Sequence, residues 1–451
     1  MIKKILVLIY SQSQVRTFVQ SDAFSKLENS KSYDVSFVFV NARNIKLESL
    51  SSNQIRIREL SLFLKKSGTY LSTALLWRNR EKSMAHLRRA NATLANRNIR
   101  RESSYQSYVP NNAFSGIQRM LIRSLAIKCN YYFTRHLRKA IANKYLTKSF
   151  EISNISIQDY SCAIVPFSGL LSHDFDDYIN FFNTFGVYTI AVQENWDHLS
   201  SKTFIDSPPN HFCVWGKQSI GHLQIVHSLN PNLATIVGSP RMFPYIQDDK
   251  FENRNLVKKE VISNVPKMPY ILFCGTGDGR DDFFLLELLI DTLHKSNKLQ
   301  IVYRPHPNRR NNMSDYQIKH LNACGVIVNL DKISHSVFYH CELVINCELL
   351  ITSLSTLLVE GLLCNKKVLV PCFSQSELNY DFSESLDTWL HLIGLRSFPN
   401  IFISETIKDF NSDILNSIEV PAKESATTAN WICSRVDFSQ VLFNLVEKLS
   451  K

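Results

Sequence analysis

No stretch of the sequence reaches the roughly 18 uninterrupted apolar residues that a membrane-spanning helix needs. The opening Met1-Ile-Lys-Lys-Ile-Leu-Val-Leu-Ile-Tyr10 has a basic start and an apolar run, but the run is too short for a secretion signal and no small-residue cleavage site follows. It reads as a first strand, and a cytoplasmic protein is expected. The ten cysteines include no Cys-x-x-Cys pair, and Cys162, Cys213, Cys274 and Cys372 sit inside apolar runs. That placement is the pattern of reduced core thiols and indicates neither a zinc site nor a disulfide framework. Acidic residues are scarce in one region: between Ser51 and Phe150 only Glu59, Glu81 and Glu102 face 20 Lys and Arg. The local balance is +17 against +11 for the whole chain, so the remainder is acidic by six.

A chain of 451 residues is long for one core, so two domains are expected. Lys3–Tyr10 and 34–40 read as strands flanking a helix over Val15–Leu27, the start of a doubly wound α/β domain. The basic segment 51–150 interrupts that pattern. Helical stretches are expected over Arg56–Lys66 and Tyr70–Ala95, then a polar loop, then a helix over Gly116–Leu146 that alternates apolar and basic residues. Such a helix suits an anionic membrane surface, or packs its apolar face on the domain like any surface helix. No aromatic-basic motif accompanies the charge, so nucleic acid is not an expected partner. Strands resume at Tyr160–Pro166, Gly186–Gln193 and His211–Gly216, and Ala234–Val237 ends the first half. The expected division is 1–246 with insertion 51–150, linker 247–268, second domain 269–425 and a C-terminal helical piece 426–451.

Chemistry-bearing residues gather where strands end. Leu299–Arg304 is an apolar strand halted by Pro305 and Pro307, which presents Arg304 and His306 at the carboxyl end, where open α/β sheets bind ligands. A forked guanidinium beside an imidazole suits a nucleotide phosphate. Gly275-Thr276-Gly277-Asp278-Gly279 follows another strand, and its backbone N–H groups could approach an anion with help from the next helix's N-terminus. The loop lacks the P-loop lysine and the spacing of a dinucleotide fingerprint, and Asp281 and Asp282 could simply cap that helix. In Thr352-Ser353-Leu354-Ser355-Thr356 a strand stops and a helix starts, a second place for phosphate, with Glu360 one turn on to meet a ribose or sugar hydroxyl, unless the loop is a simple N-cap and Glu360 is solvated. In the first half, Glu194-Asn195-Trp196-Asp197-His198 through Lys202 is a polar cluster at a strand end. Asp197 is the first candidate for a general base toward an acceptor hydroxyl and Glu194 the second, with His198 a weaker one. Either carboxylate could instead cap a helix or pair with Lys202.

The order of these motifs resembles a GT-B glycosyltransferase. Tyr303-Arg-Pro-His-Pro307 and Thr352-Ser-Leu-Ser-Thr356 are similar to motifs of bacterial polysialyltransferases and capsule Kdo transferases, and to those of CDP-glycerol glycerophosphotransferase-like proteins of teichoic acid synthesis. Gly238-Ser-Pro-Arg241 and Trp196 through Lys202 resemble elements of the latter group. The resemblance implies two Rossmann-like domains facing a cleft, with donor phosphate on His306, Ser353, Ser355 and Thr356, joined by Arg304, Pro307 and the Gly275–Gly279 loop. Lys202 and Arg241 would serve acceptor or phosphate. It further implies transfer of a sugar from a nucleotide-sugar donor to a lipid-linked or oligosaccharide acceptor, in capsule or lipopolysaccharide O-antigen synthesis, on the inner face of the membrane. No metal or other cofactor is expected. Where the glycerophosphotransferases place a histidine after the tryptophan, this chain has Asp197, which favours sugar over polyol-phosphate transfer. Alternatives are a CDP-polyol phosphotransferase, a GT-B-shaped sugar-nucleotide epimerase lacking an identifiable pair of groups around the ring, and a silent assembly scaffold.

Overall fold

The structure is a computed structural model that describes residues 2–40, 56–60, 131–167, 175–202, 205–242, 245, 265–275, 281–293, 299–306, 313–329, 337–373, 385–387 and 389–449. The chain divides into two compact units, Met1–Arg241 with Val436–Lys451, and Met242–Arg435. Each is a doubly wound parallel α/β domain.

In the first unit the described strands are β1 (Lys3–Ile9), β2 (Tyr33–Val40), β3 (Arg56–Leu60), β4 (Tyr160–Phe167), β5 (Tyr188–Gln193), β6 (His211–Val214) and β7 (Ala234–Ile236). They lie in the order β3-β2-β1-β4-β5-β6-β7, all parallel. Sheets of this kind are covered on both faces, which is why the central strands read as continuous apolar runs rather than alternating ones. Ile5 through Ile9 are wholly buried. Phe175–Thr184 closes one face, where Tyr178, Phe181 and Phe182 join the core.

Two local expectations need correction. Arg56–Leu60, read as helical, pairs in parallel with β2 through the register Phe37↔Ile57 and Phe39↔Glu59; pairing with an open sheet edge overrides weak local preference. The helix expected over Val15–Leu27 is broken into a wide turn, Val15–Val19, and a short helix, Ser25–Glu28. Between them Asp22 adopts φ +60°, and the Ser21 hydroxyl donates to the Thr17 carbonyl while accepting from Ala23 N–H, which stops the helix. The basic-apolar helix is described over Tyr131–Ile152, and its second half packs on the domain: Ala142, Leu146 and Phe150 are buried, and Phe150 stacks on Phe181 at 5.2 Å. The stretches Tyr70–Ala95 and 116–130 lie outside the described residues. No described helix is long and apolar enough to cross a membrane.

The C-terminal helix Phe438–Leu449 belongs to this first unit. Phe438 lies against Phe24 and Phe443 against Tyr33, both with ring centroids 6.0 Å apart, and Ser439 Oγ accepts from Lys26 N–H at 3.0 Å.

The second unit contains β8 (Tyr270–Cys274), β9 (Gln300–Arg304), β10 (Ile327–Val328), β11 (Leu349–Ile351), β12 (Lys367–Pro371) and β13 (Ile401–Ser404), ordered β10-β9-β8-β11-β12-β13 and all parallel. Numbered within the unit this is 3-2-1-4-5-6, so the winding reverses between β8 and β11. A ligand crevice is expected at the carboxyl ends there. The core beneath it is built from Ile271, Phe273, Tyr303, Leu349, Ile351 and Leu369 with Leu285, Leu286 and Leu289 of the helix Asp282–Leu293.

Candidate functional site

The second unit brings three sequence-flagged segments to that reversal. Cys274 pairs with Arg304, and Ile351 with Phe273, so the ends of β9, β8 and β11 stand side by side. Neighbouring strands are about 4.8 Å apart, which sets Arg304 and the Thr352 loop roughly 10 Å from each other, a span fit for a diphosphate.

Gly275 makes the first of these junctions possible. Its N–H donates to the Arg304 carbonyl at 2.8 Å. A Cβ there would run into Asp282 Oδ2 and meet His306 N at 3.0 Å and Pro305 Cα at 3.2 Å. Tyr303 donates from its hydroxyl to the same Asp282 oxygen at 2.9 Å, and Asp282 is buried. Asp281 Oδ1 accepts from the N–H groups of Phe283 and Phe284 at 3.0 and 3.2 Å. The first turn of this helix is therefore capped by the chain's own carboxylate, which takes two of the N–H groups offered in the sequence reading to an anion. Thr276, Gly277 and Asp278 lie outside the described residues, as does Pro307. His306 is half-buried.

The helix Thr356–Leu363 starts differently. Ser355 holds the N-cap position with extended backbone, φ −131°, yet its side chain makes no cap bond; its Oγ lies 3.5 Å from Thr352 Oγ1. Ser355 N–H donates to the Ser353 carbonyl at 2.7 Å, drawing the loop into a tight turn. Ser353, Ser355 and Thr356 are half-buried. With Ser355 Oγ turned away from the cap bond, this N-terminus has the donors and the dipole to receive an anion.

Glu360, a sequence candidate for a ribose or sugar hydroxyl, is completely buried. Its Oε2 accepts from the Tyr245 hydroxyl and from His340 Nε2 at 3.0 Å, and the Nδ1 of that imidazole accepts from Arg304. Burial first, then the nearby Cys341 and Glu360, push the Tyr245 phenol well above its ordinary range. His340 and Tyr245 escaped the sequence reading: His340 lies in an apolar stretch 20 residues from Glu360, and no motif spacing links them.

The first unit has its own polar cluster, again where the winding reverses. Gln14, after β1, accepts from Tyr10 N–H at 2.7 Å and donates to Glu194 Oε2 at 3.0 Å; Glu194 N–H donates to the Phe167 carbonyl that ends β4. Glu194 is buried and tied to three strand ends. His198 Nδ1 donates to the Phe167 carbonyl at 2.8 Å and Nε2 lies 3.1 Å from Asn195 Nδ2. Trp196 donates to Gln218 Oε1 at 2.7 Å. Asp197 is half-buried at the head of a wide turn, His198–Lys202, and its carbonyl accepts from the N–H and hydroxyl of both Ser200 and Ser201. Lys202 ends that turn; its side chain is outside the described residues. Arg241 follows Gly238, at φ +71°, and its N–H donates to Ser239 Oγ at 3.2 Å.

No protein-family model matches the chain, and no curated protein matches it significantly. Solved structures do match over nearly its full length. A UDP-GlcNAc 2-epimerase from Neisseria meningitidis bound to UDP-GlcNAc aligns with 98% of this chain and 100% of its own, at 10% identity and TM-score 0.57. MnaA of S. aureus with UDP covers 100% and 97%, at 10% identity and TM-score 0.54. The wall teichoic acid polymerase TagF, as the H548A variant, covers 99% and 89%, at 10% identity and TM-score 0.50. At this identity the likeness establishes the fold, a two-domain α/β architecture of the GT-B type.

Proposed function

We propose that the chain is a nucleotide-sugar-dependent glycosyltransferase of bacterial surface glycan synthesis. The observation that supports it most is the alignment of Arg304 with the helix N-terminus at Ser355–Thr356, which the Ser355 side chain does not cap, on either side of the β8 end in the second unit. Both groups offer positive potential to a diphosphate without needing a metal, and both stabilise the charge that grows on a leaving nucleotide. His306 and Ser353 complete the donor site. Asp197 takes the proton of the acceptor hydroxyl, Glu194 shapes the loop around it, and Lys202 and Arg241 meet acceptor or phosphate. The acceptor is lipid-linked or an oligosaccharide of a capsule or O-antigen, reached at the inner face of the membrane, where the basic segment 51–150 meets anionic lipid.

The experiment is thermal stabilisation by CMP, CDP, UDP, GDP and dTDP on wild type and Arg304→Ala, since a ligand of the native state raises stability by mass action. One nucleotide is expected to raise the melting temperature and the variant to lose the shift. An unchanged shift in the variant counts against the site. CDP as the ligand would instead select polyol-phosphate transfer.

A second reading is favoured by the fold neighbours, two of which are an epimerase and a UDP-bound relative: epimerisation of the nucleotide sugar itself. A transferase releases nucleotide in proportion to added acceptor, and Asp197→Ala abolishes that release while leaving nucleotide binding intact. An epimerase returns a nucleotide sugar of unchanged mass with no acceptor present.

A further inference from the structure

We infer that His340 is a positioning residue for Arg304, and that Glu360 acts on the donor through this imidazole rather than by touching the sugar. The inference rests on reading the second unit as a nucleotide site. Four side chains from four separate segments form one polarised chain: Arg304 donates to His340 Nδ1, His340 Nε2 donates to Glu360 Oε2, and the Tyr245 hydroxyl donates to the same oxygen. The direction of each bond follows from the one before. A guanidinium has donors only, so Nδ1 carries no proton and Nε2 does. Neutral His340 is the tautomer that fits both partners, with Arg304 on one side and Glu360 on the other.

The energetics give this chain a purpose. Glu360 has no exposed surface, and a carboxylate so buried is costly unless paired and hydrogen-bonded. Arg304 is the cation at the far end of the chain, and His340 carries the interaction between them. In return the guanidinium is fixed at the strand end. An unbound arginine samples many rotamers, and a side chain ordered beforehand does not lose that freedom when ligand arrives. A planar guanidinium so aimed can fork two phosphate oxygens. Sequence spacing hides this role, because His340 lies on the helix Val337–Asn346, 36 residues along the chain from Arg304.

The test is isothermal titration of the whole chain with the nucleotide that stabilises wild type, using His340→Ala, His340→Asn, His340→Gln, Arg304→Ala and the double variant Arg304→Ala/His340→Ala. Loss of one charge-assisted bond predicts about tenfold weaker binding by His340→Ala. In the Arg304→Ala background the same change should alter affinity by less than about twofold, because a residue acting through Arg304 has nothing left to position. Asparagine places an acceptor where Nδ1 stood and should recover affinity; glutamine reaches the Nε2 position and should recover the melting temperature alone. Should His340→Ala fail to fold, the contrast of asparagine and glutamine decides. Wild-type affinity in His340→Ala, or an equal loss in both backgrounds, overturns the inference and leaves the nucleotide site standing. A wild type that binds none of CMP, CDP, UDP, GDP or dTDP removes the nucleotide reading, and this inference with it.

Discussion

Gly275 shows how one missing side chain holds the second unit's strand ends together. Two of the three atoms that a Cβ would strike are backbone, His306 N and Pro305 Cα, so the clash cannot be relieved by a rotamer change. Gly275→Ala should cost about 1–3 kcal/mol, typical of overpacking, and weaken nucleotide binding by moving Arg304; urea unfolding and titration would check both. The stretch ending in Arg304 was legible in sequence because β-branched residues and prolines state their preferences locally. His340 and Tyr245 were not, since burial and a partner 20 or 115 residues away give them their roles. The helix behind the glycine-rich loop is capped by Asp281, a bond that the sequence allows and does not require.

At the scale of elements, parallel strands announced themselves and edges did not. β1, β4, β8 and β9 are apolar runs buried on both faces, whereas β3 carries Arg56, Arg58 and Glu59 and becomes a strand through its neighbour's unpaired backbone. The influence of the C-terminal helix on His211 of β6 has a measurable signature. His211, buried and bonded to Thr235 Oγ1 at 2.8 Å, has its pKa lowered, first by burial and then by the Lys448 ammonium. Below the ordinary histidine value of about 6.5, the unfolded chain binds a proton that the native one refuses. Stability from this group is therefore present above that value and lost as pH falls toward the lowered pKa. Thermal unfolding from about pH 7.5 to about pH 5 should show a smaller acid loss in His211→Asn than in wild type. Lys448→Met should lie between them, because it removes the second cause and leaves the first. Equal slopes in all three would refute the assignment.

For the whole molecule, the division into two units was readable from the restart of the strand pattern at Tyr270. The return of the chain's last helix to the first unit was not, because nothing local marks which sheet an amphipathic helix covers. Removing residues 436–451 strips Phe438 and Phe443 from Phe24 and Tyr33. Deletion should lower the first unit's unfolding temperature and leave the second's nearly unchanged, as two calorimetric transitions or limited proteolysis would report. Loss of the second unit's transition instead would contradict the assignment.

The same return sets an order of events during synthesis. Residues 242–435 form a continuous segment, complete in itself once made. The earlier-made sheet must wait for that whole segment to leave the ribosome before its last helix arrives, a delay on the order of ten seconds or more at ~5–20 residues per second. Through that interval the faces of Phe24 and Tyr33 are uncovered, so the nascent first unit, although translated first, is the last to be finished and the one for a chaperone to shield.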